Sequence, residues 1–152
     1  MRTTQRKGDI GKAKAIHTFT AMGYDVALPL TESAAYDLIV DTGEALYRVQ
    51  VRFSQTGREV GLRRIHSNSK GYVVKKTVRG AYDWLYILTA DGKEYVIKEC
   101  LENRNCVTPK ESDLLVGGMA ERPMALVLKT SNAQAFEGSN PSPSAGPEWA
   151  DQ

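Results

Sequence analysis

Residues Tyr36 to Phe53 read YDLIVDTGEALYRVQVRF, and the fold turns on how this stretch is read. Two runs rich in β-branched and aliphatic residues, Tyr36 to Asp41 and Leu46 to Phe53, flank Asp41-Thr42-Gly43-Glu44. Such runs around a glycine-containing turn predict a β-hairpin. In the second run Tyr47, Val49, Val51 and Phe53 share one parity, and Arg48, Gln50 and Arg52 share the other, which predicts one buried and one polar face. With the turn centred between Thr42 and Glu44, register counting sets Asp37 opposite Gln50, and directly opposed side chains stand roughly 5 Å apart. A carboxylate, an amide and a guanidinium are thus expected to converge on one spot. A solvated strand surface is the ordinary meaning of such an alternation.

Working outward, the N-terminal segment predicts a helix. Ile10, Ala13, Ile16, Phe19 and Met22 recur at near-helical spacing, and Gly23 stands where a C-terminal cap belongs. His17 beside that stripe reads as a packed or surface histidine. Tyr24 to Leu30 follows as a strand, with Pro29 marking an edge or a strand end. Past the hairpin, Tyr82 to Thr89 and Glu94 to Lys98 flank Asp91-Gly92, a second hairpin signal. Tyr82, Trp84 and Tyr86 share a parity and are expected on one packed face. Thr108-Pro109-Lys110-Glu111 predicts a short helix with threonine as N-cap, proline at the first position and glutamate closing a capping box, running through Leu115 and Val116.

These patterns resemble a known family. The hairpin, with KGDIGKAKA (Lys7 to Ala15) before it and RGAYDWLYIL (Arg79 to Leu88) after it, is similar to the bacterial group I intron-associated homing endonucleases of the PD-(D/E)XK, restriction-endonuclease-like superfamily. The resemblance implies an α/β fold with a restriction-endonuclease-like core. Its N-terminal helix would pack on a mixed central β-sheet, followed by a short C-terminal helix. In the family the aspartate of the Y-D-L motif, here Asp37, binds a divalent metal; the Q-V-K motif, here Gln50-Val51-Arg52, supplies a further metal contact and the catalytic lysine. The resemblance therefore implies Mg²⁺, with Mn²⁺ as an alternative, held by Asp37, Gln50 and a backbone oxygen of Val51. Arg52 would stabilise charge on the scissile phosphate, and Asp9 would serve as an outer acid. Two positions depart from the pattern: the lysine is Arg52, and a first-helix glutamate of many relatives is Lys12. Arginine keeps the charge but does not deprotonate and orients water poorly.

Charge and composition narrow the partners. The chain has 152 residues, 41% hydrophobic, enough for one globular core. Its net charge of +2 conceals a local excess: Arg58, Arg63, Arg64, Lys70, Lys75, Lys76 and Arg79 face a single acid, Glu59, between positions 58 and 79. Such a cluster, interleaved with His66, Ser67, Asn68 and Tyr72, points to a polyphosphate backbone. We expect Arg58, Arg63, Arg64, His66, Asn68, Lys70, Lys75, Lys76 and Arg79 to contact double-stranded DNA. Cys100 and Cys106, with no histidine near them, indicate neither a disulfide framework nor a zinc site. No signal peptide is read before the helix, and no apolar run approaches the roughly 18 residues of a membrane span, so a cytoplasmic, nucleoid-associated protein is expected.

One nuclease-like domain is expected over residues 1–116, with a disordered tail over 117–152. The tail is rich in Pro, Ser, Gly, Asn and Ala, and it also reads as nucleic acid. Gly117 to Met119 and Ser142 to Ser144 admit codons that pair as an acceptor stem. Ala125 to Ser131 admit an anticodon arm with a tga anticodon, and Glu137 to Ser142 admit a T-arm. The tail thus reads as in-frame translation of an overlapping serine tRNA gene. The function expected is a sequence-specific DNA endonuclease of homing type, working as a homodimer or homotetramer. The alternative is a catalytically degenerate relative that binds DNA as a regulator; a Holliday-junction resolvase is a third reading of the same core.

Overall fold

The computed structural model describes residues 3–69 and 71–116, without the side chains of residues 65–68. The chain opens with α1 (Thr3–Ala21), followed by β1 (Asp25–Ala27), β2 (Leu38–Asp41) and β3 (Leu46–Ser54). A crossover then carries β4 (Val60–Gly61), β5 (Arg64–Asn68) and β6 (Gly71–Lys75) before the chain returns as β7 (Trp84–Thr89) and β8 (Glu94–Ile97). β9 (Cys106–Val107) and one 3-10 turn, Glu111–Asp113, complete it. The central sheet runs β1-β2-β3-β7-β8: antiparallel at each end, with β3 and β7 parallel in the middle. This is the mixed sheet that the resemblance implied; β1 is its edge and ends two residues before Pro29.

α1 packs on one sheet face through a narrower stripe than apolarity suggested. Its buried residues are Gly11, Ala15 and Phe19, four apart, while Ile10 is exposed at 48% and Ala13 faces solvent. The reason is distance: a Cβ at Gly11 would stand 3.2 Å from Val51 Cγ1, so the missing side chain lets the helix sit close on β3. Phe19 then fills the core beneath, its ring 5.7 Å from Tyr86 and 6.2 Å from Trp84. α1 ends in the predicted glycine cap. Gly23 takes φ 83°, and the amides of Gly23 and Tyr24 donate to the Thr20 and Phe19 carbonyls, a Schellman closure.

The opposite face is not solvated. The crossover lays Val60 and Leu62 over it, and with Tyr82, Leu85, Ile87, Ile97 and Leu101 they form a second core cluster. Gln50, on the supposedly polar face of β3, is therefore buried, and so is Ser54. β7 lies between the two clusters and is buried along its whole length, as a central parallel strand requires. Tyr82 departs from the predicted parity: it precedes β7 and joins the second cluster, whereas Trp84 and Tyr86 join the first.

Three element boundaries also differ. The strand expected over Tyr24 to Leu30 is only three residues, Asp25–Ala27. The C-terminal helix is a single 3-10 turn with Lys110 as N-cap, and Asp113, not Glu111, closes the box by accepting from the Lys110 N–H. Leu114 and Leu115 are drawn out as an extended strap on β8, because the Leu115 N–H donates to the Glu94 carbonyl. The β5–β6 ribbon was not anticipated. The expected tail, residues 117–152, and Lys70 lie outside the described residues.

Candidate active site

Asp37 stands just before β2, where the chain enters the sheet beside the middle of β3. Its N–H donates to the Val49 carbonyl at 2.8 Å, which fixes the backbone. One carboxylate oxygen, Oδ2, accepts from Gln50 Nε2 at 2.6 Å and from the Val51 N–H at 2.8 Å. The other, Oδ1, faces Lys12 Nζ at 3.8 Å across the turn of α1. The carboxylate is 29% exposed, held by hydrogen bonds on one oxygen and, among the described residues, facing only the Lys12 ammonium on the other. Asp37 and Gln50 are thus brought together as the register predicted, and the Val51 N–H joins them.

Two clefts meet at this cluster. One, of about 340 Å³, is lined by Asp37 with Asp9, Lys12, Glu32, Tyr36 and Arg64. The other, of about 250 Å³, is lined by Gln50 with Arg64, Lys75, Lys76, Thr77 and Tyr82. Asp9 and Glu32 share the first cleft with Asp37, but among the described residues no three His, Cys, Asp or Glu side chains converge as a metal-ligand group. Oxygen donors at the cluster are therefore the Asp37 carboxylate, the Gln50 amide and main-chain carbonyls.

Arg52 follows another course. Its NH2 group donates to the Leu62 carbonyl at 3.3 Å, and among the described residues its Nε finds no acceptor. Burial lowers its pKa below the ordinary guanidinium value; Asp37 acts against that shift, and the charge of Arg64 adds to it. Arg52 lines neither cleft.

The basic residues distribute unevenly. Lys75 and Lys76 are exposed beside Gln50, and Arg64 reaches the cluster itself, donating to the Ala34 carbonyl at 2.8 Å. Arg58 is exposed on the β3–β4 loop, Arg63 is exposed and bonds Asn105, and Arg79 lines a separate groove with Trp84 and Lys98. His66 and Asn68 sit on β5, opposite Val73 and Gly71, and their side chains are outside the description. A pairing that the sequence reading missed is Asp83 with Arg48. The Asp83 carboxylate accepts the Arg48 N–H and both ends of its guanidinium fork. The signal was available: Tyr-Asp occurs both at Tyr36-Asp37 and at Tyr82-Asp83, each just before a strand flanking β3.

A helix packed on a mixed sheet, with an aspartate and a Gln-x-Arg strand meeting where a central strand is left open, defines a restriction-endonuclease-like nuclease fold. The PD-(D/E)XK endonuclease model matches residues 2–101, and the chain belongs to that family. Among solved structures it is similar to "a bacterial homing endonuclease", I-Ssp6803I, with a TM-score of 0.59 and 22% identity over 87% of this chain and 97% of that one. That likeness bears on the fold. No curated protein matches the chain.

Proposed function

We propose that the protein is a sequence-specific endonuclease that hydrolyses phosphodiester bonds of double-stranded DNA with a divalent cation, Mg²⁺ or Mn²⁺. The observation that carries this reading is the Asp37 carboxylate, pinned through Oδ2 and presenting Oδ1, with Lys12 3.8 Å away, to a cleft flanked by cations. Its donor set suits a hard cation, which takes oxygen ligands. The Gln50 amide spends its nitrogen on Asp37 and keeps its oxygen. Val51 points its N–H at Asp37, and strand alternation turns its carbonyl to the same side. The neighbouring even residues Arg48 and Ser54 turn theirs toward β7. Asp37, Gln50 and Val51 are the residues that would hold the ion. When bound, such an ion activates water and screens charge on the phosphoryl group.

The remaining residues bind and orient. Lys75, Lys76 and Arg64 hold the phosphate backbone at the mouth of the cluster. The β5–β6 ribbon supplies base readout, because a two-stranded ribbon fits the major groove. Arg64, His66, Asn68 and Lys75 occupy register positions of one ribbon face. A small recognition module gains specificity by pairing with a symmetry mate, which also sets a second centre at the other strand, so a homodimer or homotetramer acts, at the nucleoid where its substrate is.

The test is cleavage of a plasmid carrying the gene's flanking DNA, with Mg²⁺ or Mn²⁺. Asp37→Ala should lower the rate by about 10³-fold while DNA binding persists. Cutting that survives either Asp37→Ala or EDTA would sink the reading. A second reading, a DNA-binding relative without cleavage, is favoured by one observation: Lys12 Nζ lies 3.8 Å from Asp37 Oδ1, where a cation would approach. It is supported if the unmodified chain binds without cutting and Arg52→Lys combined with Lys12→Glu restores cutting.

A further inference from the structure

We propose that Arg64, rather than Arg52, is the side chain that contacts the scissile phosphate, with Arg52 acting as a positioning residue behind it. The inference rests on the nuclease reading above and adds a catalytic residue to it.

Four observations carry it. Of the cations lining the two clefts, Lys12 borders only the Asp37 cleft and Lys75 and Lys76 only the Gln50 cleft, whereas Arg64 borders both. A phosphate placed to meet Asp37 and Gln50 together therefore meets Arg64. Second, the guanidinium is already anchored, with one NH2 group donating to the Ala34 carbonyl at 2.8 Å. An anchored planar fork matches two phosphate oxygens with little further ordering.

Third, Arg52 is committed elsewhere. It bonds the Leu62 carbonyl, lines neither cleft, and lies on the face that the crossover covers, at the register position of Ile87. Fourth, that commitment acts on Arg64 through the chain. The Leu62 carbonyl is held by Arg52, the Leu62 N–H donates to the Asn105 carbonyl at 2.9 Å, and the Leu62 side chain is buried. The backbone is thereby fixed two residues before Arg64, at the start of β5. The charge lost from the cleft at position 52 is returned by a residue whose strand position 52 secures.

The experiment measures single-turnover cleavage of the flanking-DNA plasmid in Mg²⁺ at saturating protein, and DNA affinity separately in EDTA. It compares the unmodified chain with Arg64→Ala, Arg64→Lys, Arg52→Ala and Lys12→Gln, each checked for an intact urea unfolding transition. Arg64→Ala should lose about 10²- to 10³-fold in rate and less than about tenfold in affinity, the scale of one phosphate contact. Arg64→Lys should recover part of the rate. Free guanidinium ion, at concentrations below those that unfold the protein, should restore cleavage to Arg64→Ala but not to Arg52→Ala, whose defect is one of placement. If the unmodified chain cuts and Arg64→Ala cuts equally fast at saturation, the assignment falls and the metal-nuclease reading stands. The same holds if Lys12→Gln loses the rate and Arg64→Ala does not. If the unmodified chain cuts with neither Mg²⁺ nor Mn²⁺, the nuclease reading falls and takes the assignment with it.

Discussion

Asp37 and Asp83 grip β3 from its two sides in the same manner, and the difference between them separates a candidate site from a structural pair. Each directs a carboxylate onto a β3 amide, Asp37 onto Val51 and Asp83 onto Arg48. Asp83 also meets the Arg48 guanidinium at 3.0 Å through both oxygens, so its charge is answered within the fold. Among the described residues Asp37 meets an amide, a main-chain N–H and, at 3.8 Å, a single partly exposed lysine, so a cation from outside reaches its Oδ1 by displacing Lys12 alone. The hydrogen bonds from Arg48 hold the Asp83 pKa below the usual carboxylate range, against the opposing pull of burial. A depressed carboxylate stabilises the fold above its unfolded pKa of about 3.9, and the contribution is lost as pH falls through the folded value. Both partners are more than a third exposed, so solvent screening keeps the term small. Asp83→Asn should therefore cost about 1 kcal/mol at neutral pH. Urea unfolding across a pH series should show that difference shrinking below about pH 4. A cost that stays constant into acid would mean that packing, not charge, sets it.

At the scale of elements, legibility followed local chemistry. The Asp41 to Ala45 hairpin and the glycine cap of α1 were readable because turn and cap residues state their geometry. The Asp37–Gln50 juxtaposition followed from that hairpin by counting. The buried stripe of α1 was misread because its deepest contact is made by Gly11, which no hydrophobicity count registers. The burial of Gln50 was invisible because the cover comes from a crossover many residues downstream. A second tie between α1 and the sheet was also unreadable. Glu94 on β8 accepts hydroxyl hydrogen bonds from Thr18 and Tyr86 and pairs with Lys14 at 3.3 Å, joining α1, β7 and β8. Tyr86 is fully buried; burial and then the Glu94 carboxylate push its pKa up, which keeps the phenol a donor. Glu94→Ala leaves that hydroxyl without its acceptor and should destabilise the protein by about 1–3 kcal/mol. Adding Tyr86→Phe to Glu94→Ala should then cost less than Tyr86→Phe alone, a coupling that a double-mutant cycle in urea resolves. Strict additivity would show that the bond contributes nothing.

Over the whole molecule, the sheet divides two tasks between its faces. α1 closes one face with apolar contacts, while the crossover on the other carries the second core cluster and, at its margin, Arg64, Lys75 and Lys76. Of the cationic excess seen in the sequence, Arg64, Lys75 and Lys76 thus lie beside Gln50, while Arg58, Arg63 and Arg79 lie elsewhere on the surface. A polyanion bound there displaces counterions in proportion to the phosphates neutralised, and the logarithm of affinity falls with the logarithm of salt by about 0.9 per contact on duplex DNA. Lys75→Ala and Lys76→Ala should each flatten that slope by about one contact and weaken binding alike across DNA sequences. Lys93 is the matched control. It sits in the β7–β8 turn, its ammonium 3.5 Å from Asp91, away from both clefts. Lys93→Ala should leave the slope unchanged, although it removes the same charge. Fluorescence anisotropy of a labelled duplex titrated at several salt concentrations in EDTA measures all three variants on one scale. Equal flattening by Lys93→Ala would mean that the chain attracts DNA through net charge alone. A selective effect of Lys75 and Lys76 would fix the DNA on the face where Asp37, Gln50 and Arg64 meet, which is the geometry that hydrolysis at that cluster requires.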